Sequence, residues 1–259
     1  MPRRPRLHLP SLPQHVVQRG NNRLPCFFAE TDRDEYLRCL GDGARRLGCQ
    51  IHAYVLMTNH VHLLVTGSEE GAIPAMMQSL GVRYVRHVNR HQGRTGTLWE
   101  GRYHASLVDS DSYLLRCMQY IETNPVRAAM VDSPAHWRWS SFHCNALGKP
   151  DECVVPHAVY QGLGSDAKGR RSAYRDLFAG TLSTEELDTI RESTRGGRPI
   201  GGDTFRRQVA SRLGPAAIVG IPGRPTSGSA SGKPVSDPGC SGPGPGPGPG
   251  SGPRPKTRV

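Results

Sequence analysis

The sequence predicts an α+β protein built on one antiparallel sheet, and three observations support this. Apolar runs with the alternation of strands lie at 14–19, 51–57, 60–66 and 98–108. Helical spacing of apolar residues occupies the two longer intervals, 31–47 and 73–92. The resulting order of strand, helix, strand, strand, helix, strand is that of the ferredoxin-like (RRM-like) split β-α-β unit. Both helices are therefore expected on one face of the sheet, with the other face left free.

Turn and capping residues mark the ends of these elements. Gly20-Asn21-Asn22 closes the first strand, and Thr31 or Asp32 is a suitable N-cap for the first helix. Gly48 follows the end of that helix, and Thr58-Asn59 has the length of a tight hairpin turn. A further helix is predicted over 111–124, since Pro125 disfavours helical geometry in the residue before it.

The domain organisation follows from a change in composition along the chain. We predict a main folded domain over 1–145, which carries the candidate site residues described below, and a helical C-terminal extension over 146–215. Within the extension, 157–213 is expected to be mostly helical and separate, with a Gly-rich break at 196–202. Gly, Pro and Ser dominate 216–259, and such a segment has nothing apolar to offset its ordering entropy. We therefore predict a disordered tail there.

Charge and cysteine content limit the classes of function. The net charge of +11 and the pI near 9.7 favour a polyanionic partner, nucleic acid before an anionic membrane. The seven cysteines form no CxxC pair, which argues against a disulfide scaffold and against a zinc finger. No signal peptide and no apolar run of membrane-spanning length are found, so we expect a cytoplasmic protein without membrane contact.

Two histidines alternate with aliphatic residues on one predicted strand. His60 and His62 point to the same side of the sheet, and Val61, Leu63 and Val65 point to the other, toward the helices. Two neutral imidazoles at that spacing can bind one divalent metal ion. The alternative is a pair of histidines that happen to alternate with core residues.

The predicted helix over 111–124 carries a tyrosine beside its apolar stripe. The apolar stripe consists of Leu114, Met118 and Ile121. The neighbouring face of the helix consists of Tyr113, Cys117, Tyr120 and Asn124. Asn124 lies one turn beyond Tyr120 and places a carbonyl oxygen beside its hydroxyl. A phenol is a poor nucleophile at neutral pH, but a metal that polarises a phosphodiester can make attack feasible. The alternative is a helix tyrosine packed against the sheet.

These blocks resemble the single-tyrosine HUH transposases, and in particular the REP-associated tyrosine transposases of bacteria. The resemblance runs from about residue 3 to 145, with a weaker match at 197–205. It rests on MTNHVHLL (57–64), YIETNPVRAAMV (120–131), QHVVQRGNNR (14–23), GRTGTLWEGRY (94–103) and WRWSSF (137–142).

The resemblance implies a function and assigns roles to residues. His60, His62 and Asn124 would be metal ligands, although related transposases often have Gln at the third position. Tyr120 would be the nucleophile, giving a 5′-phosphotyrosine and a free 3′-OH. The implied metal is Mg²⁺ or Mn²⁺, and the implied substrate is single-stranded DNA beside an imperfect palindromic hairpin. The resemblance also implies a monomer rather than a homodimer, associated with the nucleoid when bound to DNA.

Several other residues are candidates for DNA contact. Arg83, Arg86 and Arg90 share a side of the second helix, where a solvated helix face is an equal explanation. The full set of candidate DNA-binding residues is Arg19, Asn21, Arg83, Arg86, Arg90 and Arg102. Aromatic residues could stack on bases, but core packing is the expectation for Trp99, Tyr103 and Trp139.

The remaining polar residues near the site are not predicted to be ligands. Glu100 and His104 lie close to the metal strand in this topology, but nothing in the sequence places them in contact with a metal. His15 and His52 are expected to be structural histidines. Two alternative functions stay open: a hairpin DNA or RNA binding module that does not cleave, and a structural metal protein. The second is disfavoured because no cysteine lies at ligand spacing.

Overall fold

A computed structural model of the chain describes residues 6–218 and shows four strands with helices around them. The strands are β1 (Pro13–Arg19), β2 (Cys49–Leu56), β3 (His60–Gly67) and β4 (His104–Leu107). The helices of the described part are α1 (Glu30–Arg46), α2 (Ala72–His91), α3 (Leu114–Glu122), α4 (Asn124–Arg127), α5 (Phe142–Asn145), α6 (Ala158–Gln161), α7 (Ala167–Asp176), α8 (Thr184–Gly196) and α9 (Asp203–Leu213). Single 3₁₀ turns lie at Asn21–Arg23, Pro134–His136, Leu177–Ala179 and Pro215–Ala217.

The strand order confirms the predicted α+β, ferredoxin-like sheet. The strands are arranged β2-β3-β1-β4, and each neighbouring pair is antiparallel. Elements β1 through α2 begin and end within two residues of the prediction. Most of these boundaries could be read locally from turn residues. The predicted N-cap of α1 at Thr31 or Asp32 is wrong, because the helix begins at Glu30 with Ala29 at the N-cap, and the Asp32 carboxylate accepts from the amides of Phe28 and Ala29.

The fourth strand is shorter than the predicted run of 98–108. Its first half leaves the ladder and bonds to the end of β1, where the Glu100 amide donates to the carbonyl of Arg19 at 2.9 Å. Gly101 then adopts φ +129°, a conformation that a strand cannot contain. Regular pairing with β1 therefore begins only at His104.

The helices α1 and α2 cover one face of the sheet, as predicted. Val61, Leu63 and Val65 point into this core, and Tyr36 and Tyr84 meet edge to face at a centroid distance of 5.1 Å. The predicted core role of three aromatic residues is confirmed, since all are buried in this cluster: Trp99, Tyr103 and Trp139.

The second face of the sheet is covered, so the prediction that it stays free is wrong. Val55 and Leu64 point to this side and are fully buried. They pack in a second core with Leu114 and Ile121 of α3 and with Ile190 of α8. An apolar row on a sheet must be covered by another layer, and the segments after β4 supply it.

The C-terminal segment is helical, as predicted, but it is not separate from the sheet. The Ser106 hydroxyl of β4 donates to the carbonyl of Ser193 in α8 at 2.9 Å. The Ile200 amide, in the Gly-rich break, donates to the carbonyl of Leu107 at 2.7 Å. Of the predicted tail, residues 219–259 lie outside the described part of the chain.

Two expectations from composition can be compared with the described residues. The six cysteines among them are free. Between residues 6 and 218, the structure contains no helix with the length and apolar character needed to span a membrane.

A buried carboxylate ties the tyrosine helix to the later segments. Glu122, at the end of α3, has 0% of its surface exposed. It accepts hydrogen bonds from the Ser141 hydroxyl at 2.6 Å, the Asn145 amide at 2.9 Å and the Tyr174 hydroxyl at 2.8 Å. Burial raises the pKa of the Glu122 carboxyl to about 7, against three hydrogen bonds that favour its ionised form.

This carboxylate is expected to make stability depend on pH. Between pH 4.5 and 7 the folded state holds a proton on Glu122 that the unfolded state has lost, so its contribution to stability falls as pH rises. When the pH is lowered from 8 to 5, the free energy of unfolding of wild type should therefore rise by about 2 to 3 kcal/mol relative to that of Glu122→Gln. Urea unfolding of both proteins at the two pH values measures this difference.

The histidine contributions are common to both proteins and cancel in that comparison. The exposed Glu70→Gln is a matched control and should follow wild type at both pH values. Parallel pH profiles for wild type and Glu122→Gln would show that the buried carboxylate keeps its ordinary titration.

Candidate active site

The two histidines of β3 lie side by side on the face that α3 covers. In the ladder His60 pairs with Arg19 and His62 with Val17, both on β1. Their ring centroids are 5.0 Å apart and the ring planes are inclined by 74°. His62 is buried, while His60, at the start of the strand, is partly exposed. The alternation predicted for this strand thus brings both imidazoles to one place.

The tyrosine and the asparagine reach the histidines from the opposite layer. The Tyr120 ring approaches His62 edge-on, with centroids 5.8 Å apart, and its side chain is 6% exposed. The Asn124 Nδ2 lies 2.9 Å from the His62 Nε2. Three of the four predicted site residues therefore converge directly, and His60 lies beside them.

The helix that carries these two residues is divided. Pro125 has no N–H to donate to Ile121, so α3 ends at Glu122 and α4 begins at Asn124. The sequence predicted Tyr120 and Asn124 on one continuous helix. In the structure Asn124 instead lies at the start of the next helix. The change of helix leaves its amide within reach of His62.

Further polar residues hold the outer side of each imidazole. The His15 Nε2 lies 2.8 Å from the His62 Nδ1, and the Asn59 Oδ1 lies 2.7 Å from the His60 Nδ1. The Asn59 turn is fixed against β1, because the Gly20 amide donates to the Asn59 carbonyl at 2.8 Å. A Cβ at Gly20 would lie 2.3 Å from the Leu24 carbonyl oxygen, so only glycine fits this approach.

Burial keeps the histidines of the site neutral at pH 7. It lowers the pKa of His15 and of His60 to about 3, and the charge of Arg19 adds to the effect at His60. Burial also lowers the pKa of His62 well below its ordinary value, with smaller contributions from His60 and other neighbouring groups. Each imidazole therefore keeps a lone pair on one ring nitrogen, which a metal ligand requires.

The donor set fits a divalent metal ion with open coordination positions. Among residues 6–218 no group of three or more His, Cys, Asp or Glu side chains is placed to bind a metal, so the third protein donor would be the amide of Asn124. Its nitrogen faces His62, and a half-turn of the amide would present the oxygen instead. Two imidazoles and an amide bring no negative charge, so a bound cation would keep its full charge for a phosphate.

An arginine that is not among the predicted site residues lies against the tyrosine. The Arg127 guanidinium carbon is 4.2 Å from the centroid of the Tyr120 ring, in a cation–π arrangement. Its Nη1 donates to the Thr123 hydroxyl at 2.5 Å. Arg127 is seven residues after Tyr120, which on one continuous helix would be the same side but two turns away, so spacing alone did not indicate this contact.

The candidate DNA-binding residues fall in three places. Arg19 and Asn21 lie at the end of β1, next to His60 and the Asn59 turn. The others lie further along the chain: Arg83, Arg86 and Arg90 on α2, in the layer on the opposite face from Tyr120, and the exposed Arg102 just before β4. Arg83 forms an ion pair of 3.0 Å with Asp42. The structure thus brings only Arg19 and Asn21 close to the histidine pair.

The two histidines expected to be structural differ in their surroundings. His52 bonds through Nδ1 to the Val155 carbonyl and through Nε2 to the Thr66 hydroxyl, both at 2.8 Å, and lies outside the site. His15 is buried in direct contact with His62 and edge-on to Tyr120 at 5.7 Å. Its place could not be read from the sequence because it depends on the register between β1 and β3.

Comparison with known proteins shows which proteins the chain resembles. Residues 9–124, which contain every strand of the described part and the Tyr120 helix, match the model of the family described as IS200-like transposases. A curated Haemophilus influenzae protein, named as a REP-associated tyrosine transposase, is 28% identical over 101 residues. That alignment covers 35% of this chain and 57% of the relative, so the chain spans little more than half of that protein's length. The predicted resemblance to REP-associated tyrosine transposases is confirmed.

Two solved structures are also similar. One is a REP-associated tyrosine transposase bound to a REP hairpin, with a TM-score of 0.46 and 17% identity over 61% of this chain and 93% of that one. The other is described as a transposase of Deinococcus radiodurans R1, with a TM-score of 0.34 and 24% identity over 47% of this chain and 96% of that one.

Proposed function

We propose that this protein is a metal-dependent, single-strand DNA endonuclease and strand transferase that acts beside palindromic hairpins of the REP type. The observation that carries the proposal is the convergence of Tyr120, His62 and Asn124, with His60 alongside. A nucleophile, two neutral imidazoles and an amide in one place are the groups that a tyrosine nuclease needs. The match to IS200-like transposases and the name of the Haemophilus relative support this chemistry and this class of DNA.

The metal would be held by His60, His62 and Asn124, and Mg²⁺ or Mn²⁺ is the proposed ion. When bound, it supplies a positive charge that polarises the phosphate and stabilises charge developing in the transition state. The protein orients the site through the rigid β3 ladder, which fixes both imidazoles.

The chain's own nucleophile carries the covalent step. The Tyr120 hydroxyl oxygen attacks the phosphorus and loses its proton to solvent, while the bond from phosphorus to the 3′ oxygen breaks. The released 3′ oxygen takes up a proton, and the 5′ phosphate remains attached to Tyr120. One phosphodiester is exchanged for another, so a later attack by a 3′-OH can reseal a strand without an external energy source.

Positive charge near Tyr120 supports binding of the DNA backbone. Arg127 lies over the Tyr120 ring, and Arg19 pairs with His60 across the ladder. Guanidinium groups bind phosphate oxygens in pairs, and the net charge of +11 favours association with DNA at low salt. These two arginines are the proposed contacts to the phosphates on either side of the cleaved bond.

A denaturing gel tests the proposal. The full chain is mixed with end-labelled single-stranded DNA carrying a palindrome and its flanks, in Mg²⁺, in Mn²⁺ or in EDTA. We expect label on the DNA 3′ of the cut to migrate with the protein when metal is present and to be lost in EDTA. The REP-type palindromes of the source genome are the first substrates, and a strand of the same composition without a palindrome is the control.

Two other results would change the proposal. Metal-dependent cleavage without a protein adduct would make water the nucleophile and remove the role of Tyr120. Tight hairpin binding with no cleavage in either metal would favour the binding module that the sequence also allows. Salt titration of that binding would then report the number of phosphates that the protein contacts.

A further inference from the structure

A chain of three buried side chains runs from the site into the C-terminal extension. The His62 Nδ1 lies 2.8 Å from the His15 Nε2, and the His15 Nδ1 lies 2.8 Å from the Thr194 hydroxyl. The exposed fractions of His62, His15 and Thr194 are 5%, 1% and 5%, so all three side chains are buried. Thr194 belongs to α8, which packs against β1 and β4.

Thr194 determines which atom donates and which accepts in each of these hydrogen bonds. The Thr194 hydroxyl donates to the carbonyl of Ile190, one turn earlier in α8, at 2.8 Å. A hydroxyl has a single proton, so Thr194 must accept from His15, whose Nδ1 then carries a hydrogen. A neutral His15 has no hydrogen on Nε2 and accepts there from the Nδ1–H of His62.

The contact between His62 and Asn124 is compatible with these donor and acceptor roles. With its hydrogen on Nδ1, His62 has its lone pair on Nε2, the atom that lies 2.9 Å from the Asn124 Nδ2. In this orientation the amide nitrogen donates and the His62 Nε2 accepts, which is compatible with the tautomer that the Thr194 end sets.

Two hydrogen bonds of Asn59 give His60 the same tautomer, with its hydrogen on Nδ1. The Asn59 Nδ2 donates to the Arg23 carbonyl at 2.9 Å, which orients the amide so that its Oδ1 faces the His60 Nδ1 at 2.7 Å. The His60 Nδ1 must therefore donate, and its lone pair lies on Nε2. Both imidazoles are held by outer partners with Nε2 left to accept.

We propose that His15 and Thr194 are positioning residues, which hold His62 with its hydrogen on Nδ1 so that its Nε2 lone pair faces the metal. This inference rests on the proposed metal-dependent function. The other tautomer would direct an N–H at the cation and would have to rearrange before binding. Outer partners of metal-bound histidines commonly fix the ring in this way. Thr194 gives the C-terminal extension a direct part in the site.

The tautomer can be measured without metal or DNA. In protein labelled with ¹⁵N-histidine, the ring nitrogens of His62, assigned by comparison with His62→Ala, should show a protonated Nδ1 and an unprotonated Nε2. In Thr194→Val, which keeps the shape of the side chain and loses the hydroxyl, we expect a mixture of tautomers. A wild-type His62 that carries its hydrogen on Nε2 would overturn the inference, whatever the activity of the protein.

Metal affinity provides the second readout. Mn²⁺ binding to the full chain is measured by titration calorimetry and by loss of the free Mn²⁺ signal in electron paramagnetic resonance. His15→Phe keeps a ring of similar size and should weaken Mn²⁺ binding by about 10- to 100-fold. His15→Gln can still accept from His62 and donate to Thr194, so it should restore affinity to within about threefold of wild type.

Matched controls separate positioning from a general loss of structure. His52→Phe and Thr66→Val remove another buried histidine and its hydroxyl partner, which lie outside the site. These variants should lose stability and keep Mn²⁺ affinity. Equal Mn²⁺ affinity in His15→Phe and wild type would overturn the inference. If His15→Phe does not fold, the comparison of Thr194→Val with Thr66→Val decides in the same way.

Failure of this inference and failure of the proposed function give different results. If wild type binds no Mn²⁺ and cuts no DNA, the proposed function is wrong, while the ring nitrogens still report whether His15 fixes His62. If wild type binds Mn²⁺ and cleaves, but His15→Phe does both equally well, only the positioning role is wrong.

Discussion

Tyr120→Phe is expected to abolish both the covalent adduct and DNA cleavage, with hairpin binding retained. The change removes one oxygen and keeps the ring that contacts His62 and Arg127. Without the hydroxyl no bond to phosphorus can form, so cleavage should fall by at least about 10³-fold, the scale seen when a nucleophile is removed. Denaturing gels measure the adduct, and fluorescence anisotropy with a labelled hairpin measures binding.

Tyr113→Phe is the matched control for this experiment. Tyr113 is the residue just before α3, seven positions before Tyr120, and undergoes the same chemical change. Its cleavage rate should remain within about twofold of wild type. If Tyr120→Phe still forms the adduct, another residue is the nucleophile, and the assignment of Tyr120 fails.

His62→Ala is expected to have the second largest effect, at least about 10²-fold on the single-turnover rate of cleavage. The change removes the proposed ligand that lies closest to both Asn124 and Tyr120. It also leaves the buried Nε2 of His15 without its partner, which should lower the free energy of unfolding by about 1 to 3 kcal/mol. Cleavage is followed with Mn²⁺ in excess, and Mn²⁺ affinity is measured on the same preparation.

The stability loss needs a control of its own, and His52→Ala provides it. His52 is equally buried and bonded through both ring nitrogens, but it lies outside the site. This variant should unfold at lower urea concentration than wild type and cleave at the wild-type rate. A His62→Ala protein that cleaves as wild type does, with the same requirement for metal, would show that β3 does not hold the ion.

Local patterns in the sequence were sufficient for the sheet and for the geometry of the histidine pair. Alternation along 60–66 fixes which residues share a face, because successive side chains of a strand point to opposite sides. Helical spacing similarly placed Tyr120 beside the apolar stripe of α3. Both patterns need only a few neighbouring residues to be recognised.

What the sequence could not show depends on contacts between distant segments. His15 reaches His62 only because β1 and β3 pair in one register, and Thr194 reaches His15 from 179 residues further along the chain. The cover over the second face of the sheet was missed for the same reason. The helices that cover this face have apolar sides, but a local pattern does not show which surface those sides pack against.

The covered second face has a consequence for how a nucleic acid can dock. Single-strand binders with this strand order lay unpaired bases across the middle of an open sheet, stacked on aromatic side chains. Here that platform is occupied by α3 and α8, and its central residues Val55 and Leu64 are inaccessible. A DNA strand bound as proposed would instead meet the rim of the sheet, where His60, Arg19 and the Asn59 turn are partly exposed. The proposed contacts to the DNA backbone therefore lie at the edge of the sheet, and the middle of the sheet has no part in them.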